Sequence, residues 1–239
     1  MLKLRAYLKS LSLIFAMTSL FSAASAWSSE FLRAKDRAII PVAAFTASGE
    51  SEKLKISLNE ALDAGLTVNE LKEVLVQLYA YAGFPRSLNG LATFMTVLEI
   101  RKSQGIQDVL GRESSPLPTD QSSLELGNEN QTKLIGVEVK GALFDFSPQV
   151  DEYLKAHLFG DIFARDVLSW KQRELATIAA LANIHGVNSQ LAAHFNISMN
   201  NDISPAELKA FISVLKTYCG EAISVNARQV LDQVLASKQ

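Results

Sequence analysis

The feature that most limits how this chain can fold is that it repeats itself. Leu54, Asn59, Glu70, Leu71, Lys72, Leu78, Tyr81, Gly83, Ser87 and Asn89 return as Leu191, Asn196, Glu207, Leu208, Lys209, Leu215, Tyr218, Gly220, Ser224 and Asn226, every pair 137 positions apart. An offset that never slips across these markers implies tandem duplication of one unit. Two such units are expected to pack about a shared pseudo-symmetric interface. Function is then to be sought where the copies differ.

With 48% hydrophobic residues in a chain of 239, there is apolar material enough for one or two ordinary cores. The formal charge of −2 gives no overall field that would draw the protein to nucleic acid or to an anionic membrane. The N-terminus reads as an export signal over residues 1–26. Lys3, Arg5 and Lys9 precede an apolar run from Leu11 to Phe21, and Ala24-Ser25-Ala26 fits a small-x-small cleavage site. This predicts a periplasmic or secreted mature chain beginning near Trp27, with no membrane association after cleavage; the alternative is an uncleaved anchor helix.

Cys219 is the chain's one cysteine, which rules out an intramolecular disulfide or dithiol relay. It falls at helical spacing with Leu208, Phe211, Ile212 and Leu215, so it reads as a small buried hydrophobe.

Every ordered stretch has helical rather than strand periodicity, which predicts an all-α protein of two tandem helical units. The first unit is placed at 31–105. It begins with a helix near Ala38 to Phe45, interrupted or kinked by Pro41, followed by one from Glu52 to Ala64 that stops at Gly65. Thr67 and Glu70 form a capping box ahead of the stripe Leu71, Val74, Leu75 and Leu78. Gly83-Phe84-Pro85 turns the chain into a helix carrying Leu88, Leu91, Ala92, Met95 and Leu98. Residues 106–140 lose the hydrophobic period, gain Ser, Pro, Asn and Gln, and read as a linker. The second unit, 141–237, opens with a segment in which Ser147-Pro148 suits a cap and first helical position. Ser169 with Gln172, the stop at Gly186, a helix from Asn188 to Asn200, and Ser204 with Glu207 follow.

The stretch richest in chemistry is Arg173-Glu174-Leu175 followed by Gln190-Leu191-Ala192-Ala193-His194. A short turn at Gly186-Val187-Asn188 can bring Glu174 beside His194. A carboxylate next to an imidazole favours the charged ring and fixes its orientation, as a proton donor near neutrality requires; the same pair also serves as a plain structural hydrogen bond. His157 and His185 read as structural, the second at a helix end where a cation suits the dipole. Three scattered histidines without a carboxylate cluster make no metal site.

Three blocks, FGDIFARDVLSWKQRELATIAALA at 159–182, QLAAHF at 190–195 and LKEVLVQLYAYAGFPRSLNGL at 71–91, resemble the carboxymuconolactone decarboxylase family within the alkylhydroperoxidase D-like superfamily. The resemblance implies an all-helical fold that assembles as a ring, with a two-unit chain building a homotrimer. Alkylhydroperoxidase D uses a Cys-x-x-Cys pair between the motif's Glu and His. Here Val187 and Gln190 occupy those places, with Glu50 and Lys53 in the first unit, so the resemblance carries no dithiol peroxidase chemistry. In the first unit Ser57 stands where the histidine would be.

The decarboxylase branch needs no dithiol and no cofactor. Its motif is split: the first unit keeps Tyr81-Ala82-Gly83-Phe84-Pro85 without the Glu/His pair, and the second keeps Glu174 and His194 but replaces the turn with Gly220-Glu221-Ala222. Reciprocal loss points to one composite pocket between the units; the alternative is that both copies have drifted and neither is catalytic. In the first reading His194 is the general acid/base and Glu174 orients it. Arg165 and Arg86 bind an acid group and Tyr81 and Phe84 line the pocket, for a small organic acid or lactone substrate. Arg86 departs from the small residue usual after Gly-Phe-Pro, which favours a different acid from carboxymuconolactone. Export points the same way, because breakdown of aromatic acids by this family is cytoplasmic. The competing class of function is a non-catalytic ring-forming binding protein.

Overall fold

The computed structural model describes residues 32–238, so the export signal expected at 1–26 lies outside the described residues. Those described form helices and no strand: α1 (Ala34–Ser48), α2 (Ser51–Asp63), α3 (Val68–Gln77), α4 (Tyr79–Ala82), α5 (Phe84–Ser103), α6 (Ser123–Ile135), α7 (Ala142–Phe146), α8 (Pro148–Tyr153), a π-helix (Leu154–Ile162), α9 (Trp170–Ala182), α10 (Asn188–Asn200), α11 (Pro205–Cys219) and α12 (Glu221–Ala236). Displaced by 137, α2 falls on α10 residue for residue, α3 with α4 on α11, and α5 on the start of α12. The duplication read from the sequence is therefore a duplication of structure. No described helix is long and apolar enough to cross a membrane.

The centre is made by α1 and α9, which occupy equivalent places in the two units and pack on each other. Each is apolar nearly all round, with Ile39, Ile40, Val42, Ala43 and Ala44 of α1 and Leu175, Ala176, Ile178, Ala179 and Ala180 of α9 fully buried. Such a helix is stable only when other elements cover every face. Here α2, α3 and α11 pack on α1, while α10 and α12 pack on α9. Pro41 lies inside α1 and the helix continues through it.

Helix starts follow the sequence closely. Thr67 Oγ1 accepts from the Glu70 amide at 3.2 Å, while Glu70 returns a carboxylate oxygen to the Thr67 amide at 2.7 Å. Ser169 with Gln172 and Ser204 with Glu207 do the same. Each such cap stabilises its helix by about 1 kcal/mol. Ser147 precedes α8 as expected but makes no side-chain cap bond, its backbone being turned away from the usual extended geometry.

Two readings change. Residues 106–140 are not irregular throughout, since α6 starts on a fourth capping box, Ser122 with Glu125, and buries Gly127, Asn130, Gln131 and Leu134. Its buried face is largely polar or glycine, which is why no hydrophobic period shows. On α5 the inward residues are Ser87, Gly90, Phe94, Val97 and Arg101, whereas Leu88, Ala92 and Met95 face outward. Of the apolar stripe seen in sequence, Leu88, Ala92 and Met95 thus lie on the helix's outer face, while Leu91 and Leu98 are partly buried against the core.

α6 lies along the π-helix at backbone contact. A Cβ on Gly127 would stand 1.8 Å from the Lys155 carbonyl oxygen, and one on Gly160 would stand 2.0 Å from that of Ser123. Leu134, Leu158, Phe159, Ile162, Phe163 and Ile197 form a second apolar cluster there, against which Tyr79 and Tyr81 of the first unit pack.

Candidate active site

The polar residues of α9 sit where an otherwise apolar central helix meets the first unit. Glu174 is fully buried, and one of its oxygens, Oε2, lies 2.9 Å from Nδ1 of His194 on the adjoining α10. A buried carboxylate accepts, so Nδ1 carries the proton and donates, and Nε2 is the ring nitrogen not committed to Glu174. The His194 side chain keeps 12% of its surface accessible. The twenty-residue separation in sequence is closed by the turn between α9 and α10, where Gly186 adopts φ +82°.

The first unit supplies the ring that faces this pair. Tyr81 on α4 meets the His194 imidazole edge-on, with centroids 5.8 Å apart and planes at 80°. Its hydroxyl is buried, and burial pushes the phenol's pKa well up, with the Glu174 carboxylate adding to the rise. Tyr81, Glu174 and His194 thus meet from two units, while Phe84 does not join them. Phe84 is largely exposed and stacks on Tyr79 at 4.3 Å, and Tyr79 in turn lies 5.4 Å from the ring of His157.

Arg165 and Arg86 are both engaged by the protein. Arg165 holds Glu73 of α3 with two nitrogens, Nε at 2.9 Å and Nη2 at 2.6 Å from Oε1. Arg86 donates to the Ala47 carbonyl beside Gly49, and so caps the C-terminal end of α1, where a cation suits the dipole. His157 pairs with Asp161 at 2.8 Å on the surface of the π-helix, and His185 is exposed. Cys219 is partly covered, and burial pushes its thiol up to about 11.

A buried network that the sequence reading did not single out braces the turn bearing Glu174. Arg173 has no exposed surface and donates to Glu73 at 3.0 Å, to Gln77 at 3.0 Å and to the Arg165 carbonyl at 2.8 Å. Gln77 donates back to the Arg173 carbonyl at 2.9 Å and to the Thr177 hydroxyl at 2.8 Å. First-unit α3 therefore grips second-unit α9 on both sides of Glu174. Burial alone would raise the Glu73 carboxyl, but hydrogen bonds from Arg165 and Arg173, with their charges, hold it below the ordinary range. The repeat could have revealed these residues, because Glu73 and Gln77 correspond to Ala210 and Val214, apolar in the second copy.

The opposite junction has the same framework with its chemistry removed. Tyr218, the counterpart of Tyr81, reaches the first unit and donates to Glu60 at 3.1 Å, near the charge of Arg37. Arg37 and Ser57 stand in the places of Glu174 and His194. One junction out of the two keeps a carboxylate–imidazole pair.

The profile of the carboxymuconolactone decarboxylase family matches residues 13–94 and 148–233, more than half of the chain and once in each unit. Over 69 residues the chain is 32% identical to the 4-carboxymuconolactone decarboxylase of Acinetobacter baylyi, a stretch covering 29% of this chain and 52% of that enzyme. The chain thus spans about half the length of the curated relative it matches. Two copies of one helical unit, each matched by the same profile, place the chain in the carboxymuconolactone decarboxylase family.

Proposed function

We propose that the protein is a cofactor-free lyase acting on a small lactone or keto acid, with His194 as general acid/base and Glu174 as the group that orients it. The observation that carries this reading is the 2.9 Å bond from Nδ1 of a nearly covered imidazole to a wholly buried carboxylate. That arrangement fixes the tautomer and the orientation of the ring. In the proposed step the bond between the substrate's carboxylate and its α- or vinylogous carbon breaks. The electron pair moves into the conjugated carbonyl as an enolate, and carbon dioxide leaves. Nε2–H of the imidazolium then delivers a proton to carbon, and solvent reprotonates the ring. The net change is replacement of a carboxylate by hydrogen, with no redox component. The relative from Acinetobacter baylyi is named for a decarboxylation, which supports the reaction class.

The test is a screen of purified mature protein against lactones and β- or vinylogous keto acids, comparing wild type with His194→Ala. Loss of about a hundredfold or more in kcat on any accepted substrate is expected. Equal turnover by both removes His194 from the mechanism.

One observation favours a second reading, in which the chain is a non-catalytic binding protein that assembles in a ring. Arg165 and Arg86, the cations expected to hold a substrate acid, are bound to Glu73 and to the end of α1. In both readings we propose that the chain forms a homo-oligomer, a trimer by family likeness, through the outward stripe Phe84, Leu88 and Met95, each more than half exposed. Sedimentation velocity of wild type against a Leu88→Lys, Met95→Lys double variant tests this. An unchanged sedimentation coefficient excludes the stripe from the interface.

A further inference from the structure

Two buried polar atoms beside the His194 pair have no hydrogen-bond partner in the protein. They are Oε1 of Glu174 and the hydroxyl of Tyr81. The first belongs to a carboxylate with no exposed surface, whose other oxygen is taken by His194. The second comes from the first unit, on a ring whose edge relation to the imidazole fixes where the phenol can go. An acceptor lacking a donor and a hydroxyl lacking an acceptor at one junction are complementary, and a buried pair of this kind is seldom left unmade. The charged groups around the hydroxyl are Glu174 and Arg173, both from α9, and the Thr177 hydroxyl lies within hydrogen-bonding reach of the phenol as the alternative partner to Glu174. Arg173 is committed through Nη1 and Nη2 to Gln77, Glu73 and the Arg165 carbonyl, while its Nε is a third buried atom here without a partner and the donor with which the phenol competes.

We propose that Tyr81 is a positioning residue of the Glu174–His194 pair: the first unit's phenol supplies the hydrogen bond that the second oxygen of Glu174 lacks, while its ring holds the plane of the imidazole. This rests on the reading of His194 as the acid/base group, and it changes the part expected of Tyr81 from lining the substrate pocket to acting through Glu174. A donor on Oε1 draws charge away from Oε2 and so moderates the carboxylate's pull on the imidazolium. Because the phenol stays protonated throughout the working range of pH, it is a donor under all conditions in which the pair operates. The second unit has no equivalent arrangement, since Tyr218 spends its hydroxyl on Glu60 and Arg37 replaces the carboxylate. It follows that the first unit, without a Glu/His pair of its own, regulates the basicity of the pair retained by the second.

The experiment uses the full mature chain labelled with 15N-histidine, whose three ring systems are assigned with the His194→Ala variant. In Tyr81→Phe the ring contact stays and the donor goes, and in Tyr81→Leu both go. The expected result is that the His194 ring signals of Tyr81→Phe change at a pH higher by about half a unit or more than in wild type, while those of His157 and His185 stay in place. In Tyr81→Leu the His194 signals should also broaden or shift as the ring loses its edge contact. If His194 titrates identically in wild type and Tyr81→Phe, with both folded by circular dichroism, the proposal is overturned. A near-isosteric loss of one oxygen keeps the fold, so Tyr81→Phe decides the matter even where Tyr81→Leu does not fold. A shifted titration in a protein that turns over nothing would leave the positioning role standing and sink the lyase reading. Unshifted titration in an active, His194-dependent enzyme would do the reverse.

Discussion

Tyr218 donates its hydroxyl to Glu60 across the boundary between the units, as its counterpart Tyr81 crosses the other way to the ring of His194. The duplicated fold thus makes two junctions of one design and keeps acid/base groups at one. Retaining the tyrosine, the glycine two residues after it and the matched lengths of α2 and α10 preserves the packing, because α1 and α9 must be covered from both sides for either unit to be stable. The carboxylate and imidazole carry no such packing duty. Arg37 and Ser57 fill their places, and α2 around Ser57 keeps the length of α10.

Glu174 and His194 are expected to act as one unit. With Glu174→Gln the amide cannot hold the charged ring and can present the wrong hydrogen-bonding group to Nδ1, so kcat on any accepted substrate should fall by about a hundredfold or more, as in His194→Ala. The double variant should be no slower than the worse single one, since a residue that works only by orienting another contributes nothing once that other is gone. Steady-state kinetics on the three variants checks this. Multiplicative losses would mean that the two groups act separately.

The Glu73–Arg173 pair is a stability element with a pH signature. Arg173 has no exposed surface, so Glu73→Gln leaves an uncompensated buried cation and should cost about 3–5 kcal/mol in urea unfolding. Glu73→Leu combined with Arg173→Met should recover much of that loss, because neither charge is then left behind. The Glu73 carboxyl is held below its ordinary 4.5, so its contribution is complete above that value and is lost as pH falls through the lower folded value. Acid should therefore destabilise wild type below about pH 4.5 more steeply than the double variant. Parallel stability–pH curves would show that the pair carries no linkage.

How much of this was written in the sequence depended on what each residue had to do locally. Caps are local chemistry, and Thr67 with Glu70, Ser169 with Gln172 and Ser204 with Glu207 could be read because each pair acts within one turn. The α2 and α10 boundaries followed from glycine stops and the repeat. The Glu174–His194 pair was legible because a short turn leaves two helices few ways to pair. By contrast, α5 offered two faces of similar hydrophobicity, and nothing local told that Ser87, Gly90 and Arg101 would be the buried ones; Ser87 is held there by the Leu75 carbonyl and Arg101 by Asp63 and Asp108. The role of Arg165 turned on Glu73, ninety-two positions away, a relation that only the tertiary fold creates. α6 escaped because it buries glycine and amides rather than a hydrophobic stripe.

The close approach of α6 to the π-helix should make both of its glycines intolerant of any side chain. Gly127→Ala and Gly160→Ala each place a carbon about 2 Å from a backbone carbonyl oxygen, and backbone cannot step aside as a flexible side chain can. A loss of about 2–3 kcal/mol is expected for either one. The double variant should lose less than the sum, since the first substitution already parts the helices and makes room for the second. Chemical denaturation measures both quantities. A neutral Gly127→Ala would mean that α6 does not seat on the π-helix at this distance.

Cys219 should be a poor nucleophile in the folded protein. Burial raises its thiol from 9.0 to about 11, with Glu50 adding to the rise and Asn183 and Lys53 opposing it. At pH 8 the thiolate population is then about a hundredfold below that of an unperturbed thiol, and alkylation by iodoacetamide should slow by at least that factor. Denaturant should restore the ordinary rate, because the shift comes from burial. The same low thiolate content predicts no peroxide turnover that Cys219→Ser abolishes, in keeping with Val187 and Gln190 at the places where a dithiol would stand. Rapid alkylation of the native protein, or peroxidase activity lost in Cys219→Ser, would show that the thiol is open to solvent and chemically active.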